Sequence, residues 1–198
     1  MDRRDFIKKA TMAAAGAAVV SPVSAMLHST DAGKTPKVLL VNGSPRTDGN
    51  TFCCLKEIED TLQKQGIESE IVQIGRKPVR MCINCGGCRQ NGGNGCVFDD
   101  LVQNKPAAAL AVCRRGGATA TLQTMNMMFE MMNMPVVTSQ YWNIAYGAGK
   151  GEVKLDTEGM QTMRTLATNM AFLLRKIHAA GDAAPQRHER PEFMNFIR

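Results

Sequence analysis

Apolar positions recur along this chain in two rhythms, and the alternation between them outlines the fold. Residues 38–41 form a continuous apolar run between Lys37 and Asn42, short and β-branched as a buried strand is. The run gives way at 42–49 to Asn, Gly, Ser, Pro, Arg, Thr, Asp and Gly, which is turn chemistry. Asn50 and Thr51 are placed to cap a helix. Leu55, Ile58 and Leu62 repeat on that helix at 3.6-residue spacing, and Gly66 ends it. Residues 68–74 alternate polar and apolar, predicting a second strand. Residues 97–102 read as the start of a second helix with an Asp as cap, cut short at Pro106. Residues 107–113 then read as a strand and 114–117 as a turn. Thr119 or Thr121 is placed to cap a helix carrying Leu122, Met125, Phe129 and Met132. A last strand is expected over 134–142 and a loop over 147–151. From about Asp156 a long helix carries Met160, Met163, Ala167, Met170, Leu174 and Ile177, ending near Gly181.

Strands alternating with helices argue for a parallel sheet covered on both faces, a doubly wound three-layer α/β/α domain. Ligands of such sheets sit beyond the carboxyl ends of the strands. The loop after the first strand, residues 114–117 and residues 140–146 are all expected on that edge. The methionines from Met125 to Met134 read as core filler rather than a pliable pocket lining. Cys53, Cys54 and Cys113 lie on predicted elements and read as small buried hydrophobes.

Apolar residues make up 44% of the 198-residue chain, enough for one domain with a real core. The net charge is +6, of which residues 1–25 hold +2, so the remainder is mildly basic. That suits a phosphate-bearing ligand. Nucleic acid is not indicated, because no Lys/Arg cluster is interleaved with aromatics. No run reaches the roughly 18 apolar residues of a membrane span. The first residues pair Arg3-Arg4 with Phe6, Ile7 and Lys8, then an Ala/Gly-rich stretch, then Val23-Ser24-Ala25. The pattern predicts a twin-arginine export signal with a cleavage-type ending. The expected organisation is a signal over 1–25, a linker over 26–35, a domain over 36–181 and a tail over 182–198, with the mature protein in the periplasm. That export route carries folded proteins, often with a cofactor already inserted.

A strand feeding a Gly/Ser/Thr loop that opens a helix is a natural anion site, since free N–H groups and the helix dipole both favour a phosphate. Neither GxGxxG nor GxxxxGK[ST] is present. The wording of the stretch, Val-Asn-Gly-Ser-Pro-Arg-Thr-Asp-Gly-Asn-Thr, resembles the FMN-phosphate loop of the flavodoxin-like NAD(P)H-dependent FMN reductases and iron–sulfur flavoproteins. The resemblance implies phosphate contacts from Ser44, Arg46, Asn50 and Thr51. It also implies that Arg114, Arg115, Gly116, Gly117, Tyr141 and Trp142 lie near the flavin ring. Packing alone would place Tyr141 and Trp142 in the core with a hydrogen bond at the rim.

Cys82, Cys85 and Cys88 follow at CxxC spacing, with Cys96 beyond a Gly/Asn-rich stretch. Three thiolates so spaced reach one metal centre from a tight loop, and a fourth closes the shell. Structural zinc satisfies the same four cysteines, and free thiols or disulfides are compatible with an oxidising compartment. The spacing resembles the motif that holds a [4Fe–4S] cluster in iron–sulfur flavoproteins.

Only four strands can be counted, one fewer than the 2-1-3-4-5 order of a flavodoxin-like domain. Residues 101–107 leave no room for the family's third strand and the ring-contacting loop after it. Two outcomes are open: the strand at 107–113 moves beside 37–42, or a gap opens beside the central strand. The resemblance implies an exported FMN-dependent oxidoreductase. NAD(P)H or a redox protein would donate electrons and a small molecule such as a quinone would accept them. A homo-oligomer is implied as well. No general acid or base is assigned, since His28, His178 and His188 fall in a linker, a helix and a tail. The rivals are an iron–sulfur flavoprotein electron carrier without NAD(P)H activity, and an inactive flavin-binding remnant.

Overall fold

The computed structural model describes residues 36–76, 84–87 and 102–180. The export signal, the linker, most of the cysteine segment, the helix start expected at 97–101 and the tail all lie outside the described residues.

Strand β1 (Lys37–Asn42) leads through the 43–49 loop into helix α1 (Asn50–Lys64), and the chain returns as β2 (Glu68–Gln73). Gln65 closes α1 and Gly66 takes φ 70, a left-handed turn that glycine adopts without a Cβ penalty. Strands β1 and β2 run parallel with Lys37 opposite Glu68 and Asn42 opposite Gln73. Strand β3 (Ala111–Cys113), helix α2 (Ala118–Met131), β4 (Ile144–Tyr146), a 3-10 turn (Glu152–Leu155) and helix α3 (Thr157–Ala179) complete the order. Strands β3 and β4 are also parallel, Ala111 facing Ile144.

The architecture is the expected α/β class, with parallel strands and with helices on both faces of β3 and β4. Ala111 and Ile144 pack with Ala118 and Leu122 of α2. The alternate residues, Val112 and Ala145, join the larger core with Leu55, Ile58 and Leu62 of α1 and Met163, Leu166 and Ala167 of α3. Period-two alternation on the strands puts these two sets on opposite faces.

Among the described residues the strands form two separate pairs, β1–β2 and β3–β4, rather than one continuous sheet. Residues 107–113 do not pair with β1, so the first of the two expected outcomes is not the arrangement seen among the described residues. The pairs are held together by the shared α1–α3 layer, because Leu40 of β1 belongs to the same core as Ala145 of β4. On the other face of β1, Leu39 and Val41 are each 47% exposed.

Three further expectations are corrected. Of residues 107–113, only 111–113 form a strand; Ala107 makes a single parallel bridge to Val136. The strand expected over 134–142 lies instead at 144–146. Pro135 has no N–H to give a ladder. From Val136 to Ile144 the chain takes eight steps while its partner takes four from Ala107 to Ala111, so the stretch before β4 loops out. Ser139 stabilises the excursion by donating its hydroxyl to the Tyr141 carbonyl at 2.7 Å. Gln140 reaches Thr162 on α3 at 3.1 Å, and Asn169 donates to the Thr138 carbonyl at 2.7 Å. The methionine stripe is not core filler throughout. Met125 is partly buried against Leu122, but Met127, Met128 and Met131 are 61%, 46% and 73% exposed on the far side of α2. No helix of the described residues is long and apolar enough to cross a membrane.

Candidate phosphate-loop site

The 43–49 loop is held from beneath by the side-chain amides of Asn42 and Gln73. Asn42, fully buried at the end of β1, accepts from the Ser44 N–H at 3.0 Å and donates to the Arg46 carbonyl at 3.2 Å. It also donates to Gln73 Oε1 at 2.6 Å, and Gln73 Nε2 donates to the Ser44 carbonyl at 2.5 Å. Within the loop the Ser44 hydroxyl accepts from the Arg46 N–H at 3.2 Å, which leaves its proton to give elsewhere.

Helix α1 starts from Gly49, and no side chain caps it. Asn50 and Thr51 are the first helical residues rather than the cap. The orphan donors of the first turn are therefore not taken by a side-chain cap, which is what an anion site requires. Asn50 turns instead to the segment after β4. Its Nδ2 donates to the Gly149 carbonyl at 2.9 Å and its Oδ1 accepts from the Val153 N–H at 3.4 Å. Lys150 pairs with Asp48 across the same gap. These contacts place the carboxyl ends of β1 and β4 on one edge.

The 147–151 segment is itself tied down. Glu152 accepts from the N–H groups of Ala148 at 2.7 Å and Gly149 at 2.6 Å. Those two bonds, helped by the positive charge of Arg114, hold its carboxyl below the usual range. Asp156 caps α3 by accepting from the Gly159 N–H at 2.9 Å, and its other oxygen takes the Tyr146 N–H at 2.7 Å. A Cβ at Gly159 would stand 2.8 Å from that of Ala145, so only glycine lets helix and strand approach this closely.

Arg114, Arg115, Gly116 and Gly117 follow β3 as expected, and all four are exposed. Gly117, with φ 89, is the N-cap of α2, again without a side-chain bond. Neither Thr119 nor Thr121 is the cap. Thr121 bonds back to the Gly117 carbonyl at 3.0 Å from inside the first turn. Tyr141 and Trp142 are 62% and 56% exposed, with ring centroids 5.0 Å apart. They are not core residues, and they precede β4 instead of following it. No described contact joins them to the phosphate loop.

Two grooves, of ≈ 500 and ≈ 490 Å³, lie elsewhere. One runs between α1 and α3 past Phe52, Lys56, Lys154 and Arg164, the other past Lys37 and Glu68. Neither is lined by a candidate residue. Cys85 is exposed, whereas Cys82, Cys88 and Cys96 lie outside the described residues. Among the described residues no group of three or more His, Cys, Asp or Glu is placed to hold a metal. Cys54 is buried and Cys53 and Cys113 are half-buried, close to the expectation for small hydrophobes. Burial pushes the Cys54 thiol up to about 12.

Residues 36–97 match the family model of NADPH-dependent FMN reductases. That span includes β1, the loop, α1, β2 and all four cysteines of the motif. The chain is also 26% identical over 192 residues to an iron–sulfur flavoprotein of Methanocaldococcus jannaschii, covering 71% of this chain and 98% of the relative. RosB, solved with bound 8-demethyl-8-formylriboflavin-5'-phosphate, aligns with a TM-score of 0.48 at 14% identity over 73% of this chain and 81% of RosB.

Sequence reasoning placed the loop but missed what positions it: Asn42, Gln73, Glu152 and Asp156. A signal was present for the first. Strand alternation puts Asn42 on the buried face with Leu40, where a polar group needs partners.

Proposed function

We propose that this chain is an FMN-dependent oxidoreductase whose phosphate site is the 43–51 loop. The observation that carries the reading is a coincidence of two findings. The family match spans residues 36–97, and within it lies a strand–loop–helix unit whose helix N-terminus has no side-chain cap. The donor set fits a phosphate monoester. The first-turn N–H groups, the Ser44 hydroxyl, the Thr51 hydroxyl and the Arg46 guanidinium are the chain's own means of holding it. Bound FMN would supply the redox chemistry itself. Arg114, Arg115, Gly116 and Gly117 are the residues assigned to the ring side, as are Tyr141 and Trp142, which would have to be brought to it. NAD(P)H is the assigned donor and a small electron-poor molecule such as a quinone the acceptor. Cys82, Cys85, Cys88 and Cys96 are the assigned ligands of a [4Fe–4S] cluster. Export by the twin-arginine route to the periplasm, and assembly with further copies of the chain, complete the proposal.

A second reading is favoured by the iron–sulfur flavoprotein relative, which this chain matches over nearly its whole length. In it the protein relays single electrons between partner proteins and does not use NAD(P)H. One experiment separates the two. The chain from residue 26, prepared without oxygen, is loaded with FMN and mixed with NADPH or NADH and a quinone. Turnover supports the reductase. FMN binding without turnover, but with reduction by a protein donor, favours the carrier. Failure to bind FMN rejects both.

A further inference from the structure

We infer that Gln73 is a positioning residue for the phosphate loop, and that with Asn42 it sets the preference for a phosphorylated flavin over an unphosphorylated one. The inference rests on the flavin reading above and deepens it. Gln73 ends β2, a strand that contributes no residue to the candidate site, and its side chain leaves the ladder to join the loop.

The geometry gives the two amides one task. A phosphate repels carbonyl oxygens and attracts N–H groups, so a loop that binds it must keep its carbonyls turned away. Here Gln73 Nε2 takes the Ser44 carbonyl at 2.5 Å and Asn42 Nδ2 takes the Arg46 carbonyl at 3.2 Å. Both carbonyls are thereby aimed at the strand ends. No peptide bond is cis among the described residues. In a trans peptide the N–H after a carbonyl points the opposite way, so holding the Arg46 carbonyl against Asn42 turns the Thr47 N–H away from the strands. Residue 45 is proline and offers no N–H, and the Arg46 N–H is given to the Ser44 hydroxyl at 3.2 Å, which leaves the Thr47 N–H as the next loop donor after the serine.

The pair is also coupled. Asn42 donates to Gln73 Oε1 at 2.6 Å, so Gln73 fixes the rotamer of Asn42 and is fixed by it. Asn42 is fully buried, and a buried amide that loses a partner must find another or stay unsatisfied. Removing the Gln73 amide frees the Ser44 carbonyl and releases Asn42 to reorient. The damage should fall on the phosphate and spare the flavin ring.

The test compares two ligands on one protein. Gln73→Met keeps the length and removes the amide. FMN and riboflavin affinities are measured by quenching of flavin fluorescence in wild type and variant. The expected result is a roughly tenfold loss for FMN, the scale of one unsatisfied buried partner, with riboflavin unchanged within about twofold. Gln73→Glu should lose at least as much, because it returns an acceptor to face the Ser44 carbonyl. Should the Met variant fail to fold, Gln73→Thr, suited to a strand, gives the same comparison. Equal losses for both flavins would assign Gln73 a merely structural role and overturn the inference, as would no loss for either. A wild-type chain that binds neither flavin would overturn the flavin reading and this inference with it.

Discussion

Replacing Asn50 by alanine tests how the phosphate loop is joined to the far side of the domain. The Asn50 amide is the only described side chain to bond both the Gly149 carbonyl, at 2.9 Å, and the Val153 N–H, at 3.4 Å. The first bond is at the surface, and a bond of that kind contributes about 1 kcal/mol net. The second is long, but Val153 is fully buried, so its N–H has little access to water once the partner is gone. That adds about 1 kcal/mol, at the low end for an unsatisfied buried donor. The loss should total about 2 kcal/mol, which for a domain of this size lowers the melting temperature by about 4–8 °C. Asn50→Asp is the control. It keeps the acceptor for Val153 and adds a negative charge to the first turn of α1, a favourable place for one; because the Gly149 contact is exposed, water can enter between the two oxygens and only that bond is lost. It should lose less than half as much as alanine. Thermal unfolding followed by far-ultraviolet circular dichroism, without flavin, measures both. An alanine variant that melts within about 1 °C of wild type would show that the contact carries no stability. So would an aspartate variant that falls as far as alanine, and the reasoning would fail.

Other outcomes follow from the same structure. Leu62→Ala, at a fully buried position of the α1–α3 core, should cost about 2–5 kcal/mol in denaturant unfolding. Gly159→Ala forces a methyl to within 2.8 Å of the Ala145 Cβ and should cost about 1–3 kcal/mol as overpacking, readable in the same assay. Glu152 has a folded-state pKa held down by the Gly149 and Ala148 N–H groups, so its contribution is present at neutral pH and lost as pH falls through that lowered value. Glu152→Gln should therefore flatten the acid limb of a stability–pH curve. The Cys54 thiol moves the other way, up from 9.0 to about 12. Its contribution is complete below pH 9.0 and lost as pH rises toward 12, and Cys54→Ala should remove that alkaline fall. At neutral pH Cys54 should resist alkylation in the native protein and react on unfolding.

The sequence made the regular elements legible where one rhythm dominated. Residues 38–41, the Leu55/Ile58/Leu62 stripe and the methionine stripe of α3 carry unambiguous periods, and the elements stand where those periods put them. The failures have local causes. Residues 134–142 look like a strand by composition, but Pro135 breaks the ladder and Ser139 closes a turn, so pairing resumes only at Ile144. The methionines of α2 look like core by type. Yet 3.6-residue spacing puts Met127, Met128 and Met131 away from the Leu122 side, and hydrophobicity alone does not reveal the face left without a partner. Thr119 and Thr121 look like caps, but the left-handed Gly117 starts the helix first. In the site, the loop itself was readable because its residues are contiguous. Its supports were not, because Gln73, Gly149, Lys150 and Glu152 come from strand and loop segments 29 to about 100 residues away along the chain, and no local pattern encodes such a meeting.

The visible absorption spectrum of the chain from residue 26, purified without oxygen and then offered FMN, tests the central claim most directly. The account predicts the two-banded spectrum of bound flavin, with a broad brown shoulder if Cys82, Cys85, Cys88 and Cys96 hold a cluster. Flavin bands alone would keep the oxidoreductase and remove the cluster. A colourless protein that takes up no added FMN would contradict the account.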